Sequence, residues 1–130
     1  MKVLKVRVLG LAALLLGVLG CQSTRVVPLV ETAPFTILSA EVAGDSLEVV
    51  VRYSGGCEDH TWRLEKSAPM MKSLPPKQPI LLIHGSHGDM CRALIVDTLH
   101  LELKPFRAGP IGVTLFLLET WKPELIYENR

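Results

Sequence analysis

The feature of this sequence that most constrains its fold is a two-residue alternation of apolar and polar side chains. Between residues 46 and 53, Glu48 and Arg52 would lie on one face of a strand, and the other face would carry Leu47, Val49, Val51 and Tyr53. Successive side chains of a strand point to opposite faces, so this alternation is typical of a half-buried β-strand. No segment offers a convincing apolar stripe at helical spacing. The alternation therefore favours an all-β domain.

Further strand candidates follow along the chain. They cover residues 35–42, 46–53, 60–66, 80–84, 91–104, 113–118 and 121–127. Residues 67–79 are predicted to be a loop, because their four prolines, the last of them Pro79, are unsuited to a central strand. Short strands with turn signals about every ten residues are typical of small β-sandwiches. We predict an antiparallel β-sandwich of immunoglobulin-like size over residues 35–130, with a partly open barrel as the alternative.

The first 20 residues have the pattern of an export signal. Three basic residues lie within positions 1–7, and an uninterrupted apolar run follows from Val8 to Leu19. A helix of that length spans about 18 Å, which is too short for the roughly 30 Å hydrocarbon core of a bilayer. A basic start followed by a short apolar run is typical of a cleaved signal peptide, so residues 1–20 are predicted to be removed.

The apolar run ends in Val18-Leu19-Gly20-Cys21, which resembles the lipobox of bacterial lipoproteins. The resemblance implies cleavage before Cys21, a diacylglyceryl thioether on its sulfur and acylation of the new amino group, for which palmitate is the expected chain. Several acyl chains hold a protein stably on a membrane, whereas one holds it weakly. By analogy with enterobacterial sorting, Gln22 at the next position favours the outer membrane, with the domain facing the periplasm.

The segment after the signal peptide is predicted to be a tether. Residues 21–34 contain the lipidated cysteine and two prolines, and they show no regular period, so they are expected to be flexible. Removal of residues 1–20 leaves 11 lysines and arginines against 13 acids. This balance gives no basic surface, so nucleic acid is not an expected partner. The expected partners are the membrane, through the lipid, and an unidentified envelope protein.

Two cysteines, Cys57 and Cys91, lie within the predicted domain, each in or beside a turn that also carries histidine. Exported proteins fold in an oxidising compartment, and these are the two thiols left once Cys21 is lipidated. We therefore predict a Cys57–Cys91 disulfide and no cofactor. Its loop of about 34 residues would stabilise the domain by roughly 3–4 kcal/mol in the chain-entropy model.

Two alternatives use the same residues. In the first, Cys57 and His60 join His84 and Cys91 as a four-ligand set suited to zinc or copper(I). In the second, Cys57 is a nucleophile and His60 its base. Because the sequence offers neither an orienting third group nor an oxyanion site, no enzymatic activity is predicted.

Three motifs resemble those of an uncharacterised group of secreted and lipoprotein-type bacterial proteins. They are YSGGC-x-x-H-x-W-x-L, L-x-H-x-x-x-G-D-x-C-x-A-x-I and TL-x-L-x-L-x-P. The resemblance covers about residues 46–106 and maps onto Gly55, Gly56, Cys57, His60, His84, Asp89 and Cys91. It implies that these residues form one unit but implies no activity, and His87 lies outside it. The chain is thus predicted to be a lipid-anchored envelope protein with a structural or binding domain.

Overall fold

The structure is a computed structural model that describes residues 32–130. The predicted signal peptide, Cys21 and most of the predicted tether lie outside the described residues. The strands are β1 (Thr36–Ala43), β2 (Ser46–Gly55), β3 (Thr61–Lys66), β4 (Lys77–Gly85), β5 (Ala93–Glu102), β6 (Gly112–Leu118) and β7 (Leu125–Asn129). A 3₁₀ turn, Lys104–Phe106, is the helical element within residues 32–130, and no helix in that range could cross a membrane.

The strands form two sheets, so the all-β sandwich prediction is confirmed and the barrel alternative is not adopted. One sheet has the order β1-β2-β5 and the other the order β3-β4-β6-β7. The exception to antiparallel pairing is β4 with β6, which run parallel. Parallel strands need a crossover connection. Here the chain makes that crossover by passing through β5 in the opposite sheet.

Strand β2 shows why the alternation in the sequence matters. Leu47, Val49 and Val51 are completely buried, and Tyr53 is nearly so. They pack against buried residues of β4, β6 and β7, including Phe116. Fully burying one such side chain stabilises a fold by about 1.5–3 kcal/mol. The apolar face of β2 therefore forms much of the first sheet's share of the core.

Strand β4 begins earlier than the sequence predicts, and the predicted loop over residues 67–79 is too long. Pro79 lies inside β4. The last ladder pair with β3 joins Lys66 to Ile80, and just beyond it the carbonyl of Pro79 accepts a hydrogen bond from Ser67 N at 3.2 Å. Proline has no N–H to donate. Since the ladder to β3 has already ended there, that missing donor is not needed.

The two ends of the sandwich differ. The N-terminal pole contains the ends of β2 and β4 and the first described residues. There Ala33 N donates to His84 O at 2.8 Å, and His84 N donates to Thr32 Oγ1 at 2.9 Å. Residues that the sequence assigns to the tether therefore contact the domain. The distal pole contains the β1–β2 turn and a hollow of about 470 Å³ lined by residues that include Leu74 and Ile111.

Candidate functional site

The two motif-bearing turns meet at the N-terminal pole. Strands β2 and β5 are paired up to their ends, where Gly55 lies opposite Ala93, and this pairing places the loop after β2 beside the loop before β5. Cys57 and Cys91 form the predicted disulfide, with Cα atoms 5.8 Å apart. That separation lies within the usual range for a disulfide.

The carboxylate of Asp89 also joins the two loops. Its Oδ2 atom accepts hydrogen bonds from three successive amides, those of Gly56 at 2.9 Å, Cys57 at 3.1 Å and Glu58 at 3.1 Å. Its Oδ1 atom accepts from the amide of Cys91 at 2.8 Å. The side chain is completely shielded from solvent. One carboxylate therefore holds the backbone of both disulfide cysteines.

These hydrogen bonds determine the charge of Asp89. Donation by His60 Nε2, 3.0 Å from Oδ2, is the largest cause that lowers the pKa of the carboxyl group. Burial acts in the opposite direction, while the amides of Cys91 and Cys57 lower the pKa further. The result is a pKa well below the usual range for aspartate. Asp89 is therefore ionised at physiological pH and cannot act as a proton donor there.

Two histidines extend this hydrogen-bonded chain into the protein. His60 Nδ1 lies 2.6 Å from His84 Nε2, and His84 Nδ1 lies 3.2 Å from the carbonyl oxygen of Ala33. Both imidazoles are almost completely buried. The chain of contacts runs from Asp89 through His60 and His84 to Ala33, so it connects the disulfide loops to the first described residues.

The partners of the two rings determine where two of the ring hydrogens lie. Carboxylate and carbonyl oxygens only accept, so hydrogens lie on His60 Nε2 and His84 Nδ1. Burial lowers the pKa of His84, and the neighbouring His60 lowers it further, against the opposing hydrogen bond to Ala33. Burial therefore favours the neutral form of His84.

Aromatic rings surround the two imidazoles. Trp62 lies directly opposite His84 in the β3–β4 register, and the two rings stack with centroids 4.0 Å apart. The Tyr53 ring lies 4.6 Å from His60, and Phe35 lies 5.2 Å from Trp62. Burial, the largest cause, raises the pKa of Tyr53. This apolar wall keeps water from the ion pair and strengthens its electrostatic interaction.

The two glycines of the motif, Gly55 and Gly56, are required for different reasons. A Cβ atom on Gly55 would lie 2.5 Å from His60 Nε2 and 2.8 Å from Asp89 Oδ2, so only glycine leaves room for the ion pair. Gly56 has a φ of +117°, a conformation that other residues rarely adopt. The first glycine is thus required by close packing and the second by the path of the chain.

The residues of the alternative zinc or copper set, Cys57, His60, His84 and Cys91, all lie at this pole. In the oxidised domain the two sulfurs form a covalent bond, and the facing nitrogens of the two histidines form a hydrogen bond. Each of these donor atoms therefore has a partner within the set. The two sulfur atoms and an oxygen of Asp89 lie within 4.8 Å of one another, so reduction would leave two thiols beside that oxygen.

The nucleophile–base pairing is not formed here. The Cys57 sulfur lies in the disulfide, and the ring nitrogens of His60 contact Asp89 and His84 instead. His87, which lies outside the motif, bonds Thr61 Oγ1 at 3.1 Å.

The sequence places Asp89 among the motif residues but predicts no specific role for its carboxylate, and it predicts no role at this site for Ala33 or for the ring of Tyr53. The available signal for Asp89 is its position two residues before Cys91, from which its side chain can reach the cysteine amide. The contacts of Ala33 and Tyr53 join residues far apart in the chain, and no local pattern indicates them.

Comparison with known proteins does not place this chain in a family. No protein-family model matches it, and no curated protein or solved structure shows significant similarity to it.

Proposed function

We propose that this chain is a bacterial envelope lipoprotein, held on the outer membrane by lipid on Cys21, whose domain is a structural or binding module facing the periplasm. The observation that carries the proposal is the Cys57–Cys91 disulfide. Disulfides form and persist in oxidising compartments. The export signal and the lipobox-like motif of residues 1–21 would lead the chain to such a compartment. Residues 1–21 and the cysteine pair of the domain are separate parts of the sequence, and both favour an oxidising compartment.

The spacing between Cys21 and the domain fits a lipid anchor. Residues 22–31 separate the cysteine from Thr32, where the described domain begins. Ten residues reach at most about 36 Å even when fully extended. That limit keeps the start of the domain close to the membrane.

The arrangement around Asp89 favours a structural role for the polar cluster over a catalytic one. The carboxylate is saturated with donors, and His60 uses both ring nitrogens within the cluster. In the oxidised domain Cys57 offers no thiolate, which is the form that attacks a substrate. The cluster therefore serves to hold the two loops and the disulfide in one arrangement, and we propose no enzymatic reaction for it.

The lipoprotein assignment is tested by replacing the anchoring residue. In cells that express the full chain, Cys21→Ala is expected to abolish incorporation of labelled palmitate and to block cleavage at the Gly20–Cys21 bond. Cys57→Ala is the matched control, because it removes a cysteine within the domain and should leave lipidation intact. Continued cleavage and membrane retention of Cys21→Ala would show that the proposal is wrong.

A second candidate function is metal binding by the reduced domain, favoured by the proximity of the two sulfur atoms to Asp89. Thiolates bind zinc and copper(I), and a bound ion protects them from oxidation. Thiol labelling under denaturing conditions without reductant, together with metal analysis of the protein purified from the periplasm, separates the two functions. Two reactive thiols with one equivalent of metal would favour Cys57 and Cys91 as ligands, completed by Asp89 or by the predicted His60 and His84.

A further inference from the structure

Three exposed apolar side chains lie on the loop before β5 and on the first part of that strand, at or near the N-terminal pole. Met90 is 89% exposed, Leu94 is 73% exposed and Val96 is 58% exposed. Leu94 lies opposite Ser54 and Val96 lies opposite Arg52 in the β2–β5 register, so both are on the outer face of the first sheet. We call Met90, Leu94 and Val96 the apolar patch. Single exposed apolar residues are ordinary, whereas a cluster marks a contact surface.

The patch borders the residues at which the chain from Cys21 enters the domain. One surface hollow is lined by residues that include Ala33, Pro34 and Met90. A neighbouring hollow is lined by residues that include Pro34, Phe35 and Leu94. Two of the three apolar side chains therefore adjoin the first described residues. Ala33 among these residues is also held to His84 by one backbone hydrogen bond and by one hydrogen bond with the His84 side chain.

The position of the patch indicates what would cover it. The 11 steps of chain from Cys21 to Thr32 reach at most about 40 Å even when fully extended. The nine-residue strand β4, which runs from the distal pole to the N-terminal pole, is about 30 Å long. The N-terminal pole is thus held nearer the bilayer than the distal pole, and tethering raises the local concentration of lipid around the patch.

The charges around the patch favour an apolar contact rather than an electrostatic one. Arg52 and Arg92 are exposed at this pole, but so are Glu58 and Asp59 in the neighbouring loop. These two positive and two negative charges balance, so contact between this pole and a membrane would not require anionic lipid. Exposed aliphatic and methionine side chains are instead suited to the boundary between headgroups and acyl chains.

We infer that the apolar patch of Met90, Leu94 and Val96 is a membrane-contact surface that docks the domain on the same lipid bilayer that holds Cys21. The inference rests on the proposed lipid anchor. It adds an orientation to that anchor, because the N-terminal pole lies against the membrane and the distal pole, with its hollow between residues 74 and 114, points away from it.

Spin labels measure this orientation in the lipidated mature protein reconstituted into vesicles of uncharged phosphatidylcholine. Labels are placed by Met90→Cys and Leu94→Cys, and the matched controls are Leu74→Cys and Ile111→Cys. The control positions are also highly exposed apolar residues, 100% and 80% exposed, but they lie at the distal pole. Labelling without reductant preserves the Cys57–Cys91 disulfide, and vesicle flotation reports anchoring separately.

Two collision reagents distinguish the environments of each label. Oxygen concentrates in the bilayer, whereas a charged nickel complex stays in water. The ratio of oxygen to nickel collisions is expected to be several-fold higher at positions 90 and 94 than at positions 74 and 111, and to be insensitive to salt. This result would support membrane contact.

Three other results would overturn the inference, and they differ from one another. Water-like collisions at all four positions in protein that floats with the vesicles would refute the contact and leave the anchor intact. Low collisions with both reagents at position 94 would show that protein, such as residues 22–31 or a second copy, covers the patch. Failure of the mature protein to float would refute the lipid anchor and the contact together.

Discussion

At the scale of single residues, Asp89 decides the arrangement of the N-terminal pole. Its two oxygens accept from four backbone amides and from His60, and these donors belong to both loops that carry the disulfide. A buried carboxylate is costly unless it is paired and hydrogen-bonded. Here the pairing is complete, so the charge orders the loops and excludes other arrangements in which donors would be left unsatisfied.

The close packing beside Asp89 predicts that a larger residue in place of Gly55 destabilises the domain. Gly55→Ala would place a methyl group 2.5 Å from His60 Nε2 and 2.8 Å from Asp89 Oδ2, and those atoms cannot move apart without losing the ion pair. Overpacking of this kind lowers the free energy of unfolding by about 1–3 kcal/mol. Urea denaturation measures the change. Gly109→Ala is the control, because its nearest neighbouring atom is 3.9 Å away. Equal stability of the two variants would contradict the prediction.

The burial of His84 predicts that the free energy of unfolding depends on pH. The pKa of His84 is lowered in the folded domain, chiefly by burial, so the unfolded chain binds a proton below about pH 6.5 that the folded domain does not. The contribution of His84 to the free energy of unfolding should therefore fall as the pH drops below that value. The slope for one proton cannot exceed about 1.4 kcal/mol per pH unit.

His84→Gln isolates this contribution. Glutamine does not titrate, and its side-chain amide can either donate a hydrogen bond to His60 Nδ1 or accept one from it. Urea denaturation between pH 7 and pH 5 should show a smaller loss of stability in the variant than in the unmodified domain. An identical loss in both proteins would mean that His84 is not the group responsible.

At the scale of elements, the disulfide joins the loop after β2 to the loop before β5. Closing a loop of 34 residues removes conformational freedom from the unfolded chain. We expect no free thiol in the mature domain, and a loss of about 2–5 kcal/mol in the free energy of unfolding after reduction. Thiol labelling without reductant, followed by urea denaturation with and without reductant, measures both.

The double variant Cys57→Ser with Cys91→Ser controls for effects of the reductant itself. It should have about the stability of the reduced domain and should not respond to reductant. Because Asp89 holds the amides of both positions independently of the sulfurs, we expect the double variant to remain folded. A reduced domain as stable as the oxidised one would show that the cross-link adds nothing to the fold.

At the scale of the whole molecule, the domain begins before its first strand. Ala33 makes two hydrogen bonds with His84, one through its amide and one through its carbonyl, and Thr32 Oγ1 accepts a third from His84 N. A soluble chain of residues 35–130 lacks all three. Leaving buried polar groups of His84 without partners should destabilise it by about 1–3 kcal/mol relative to residues 22–130.

A chain of residues 32–130 is the control for this truncation, because it keeps those contacts and lacks the rest of the tether. Its denaturation midpoint in urea should match that of residues 22–130. If the chain of residues 35–130 were equally stable, the first described residues would not belong to the cooperative unit.

Much of the fold could be predicted from the sequence because the relevant signals are local. The alternation in β2 identifies its buried face, since Leu47, Val49, Val51 and Tyr53 are all buried. The two glycines and two cysteines mark the turns of the candidate site. Proline was a less reliable signal, since Pro79 lies in β4 where the ladder to β3 has ended, and a sequence does not show where a neighbouring strand stops.

The sequence by itself determined the all-β class and the inward face of β2, since each depends on residue type and on spacing along the chain. It predicted the pairing of the two cysteines but left a metal site and a nucleophilic role for Cys57 as alternatives. Only the tertiary structure decided the parallel pairing of β4 with β6 and the contacts of Asp89 with the loop after β2. It also decided the stacking of Trp62 on His84 and the return of Ala33 to β4. These contacts join residues that are distant in the chain, and their energies depend on burial and on strand register, which exist only once the two sheets have packed together.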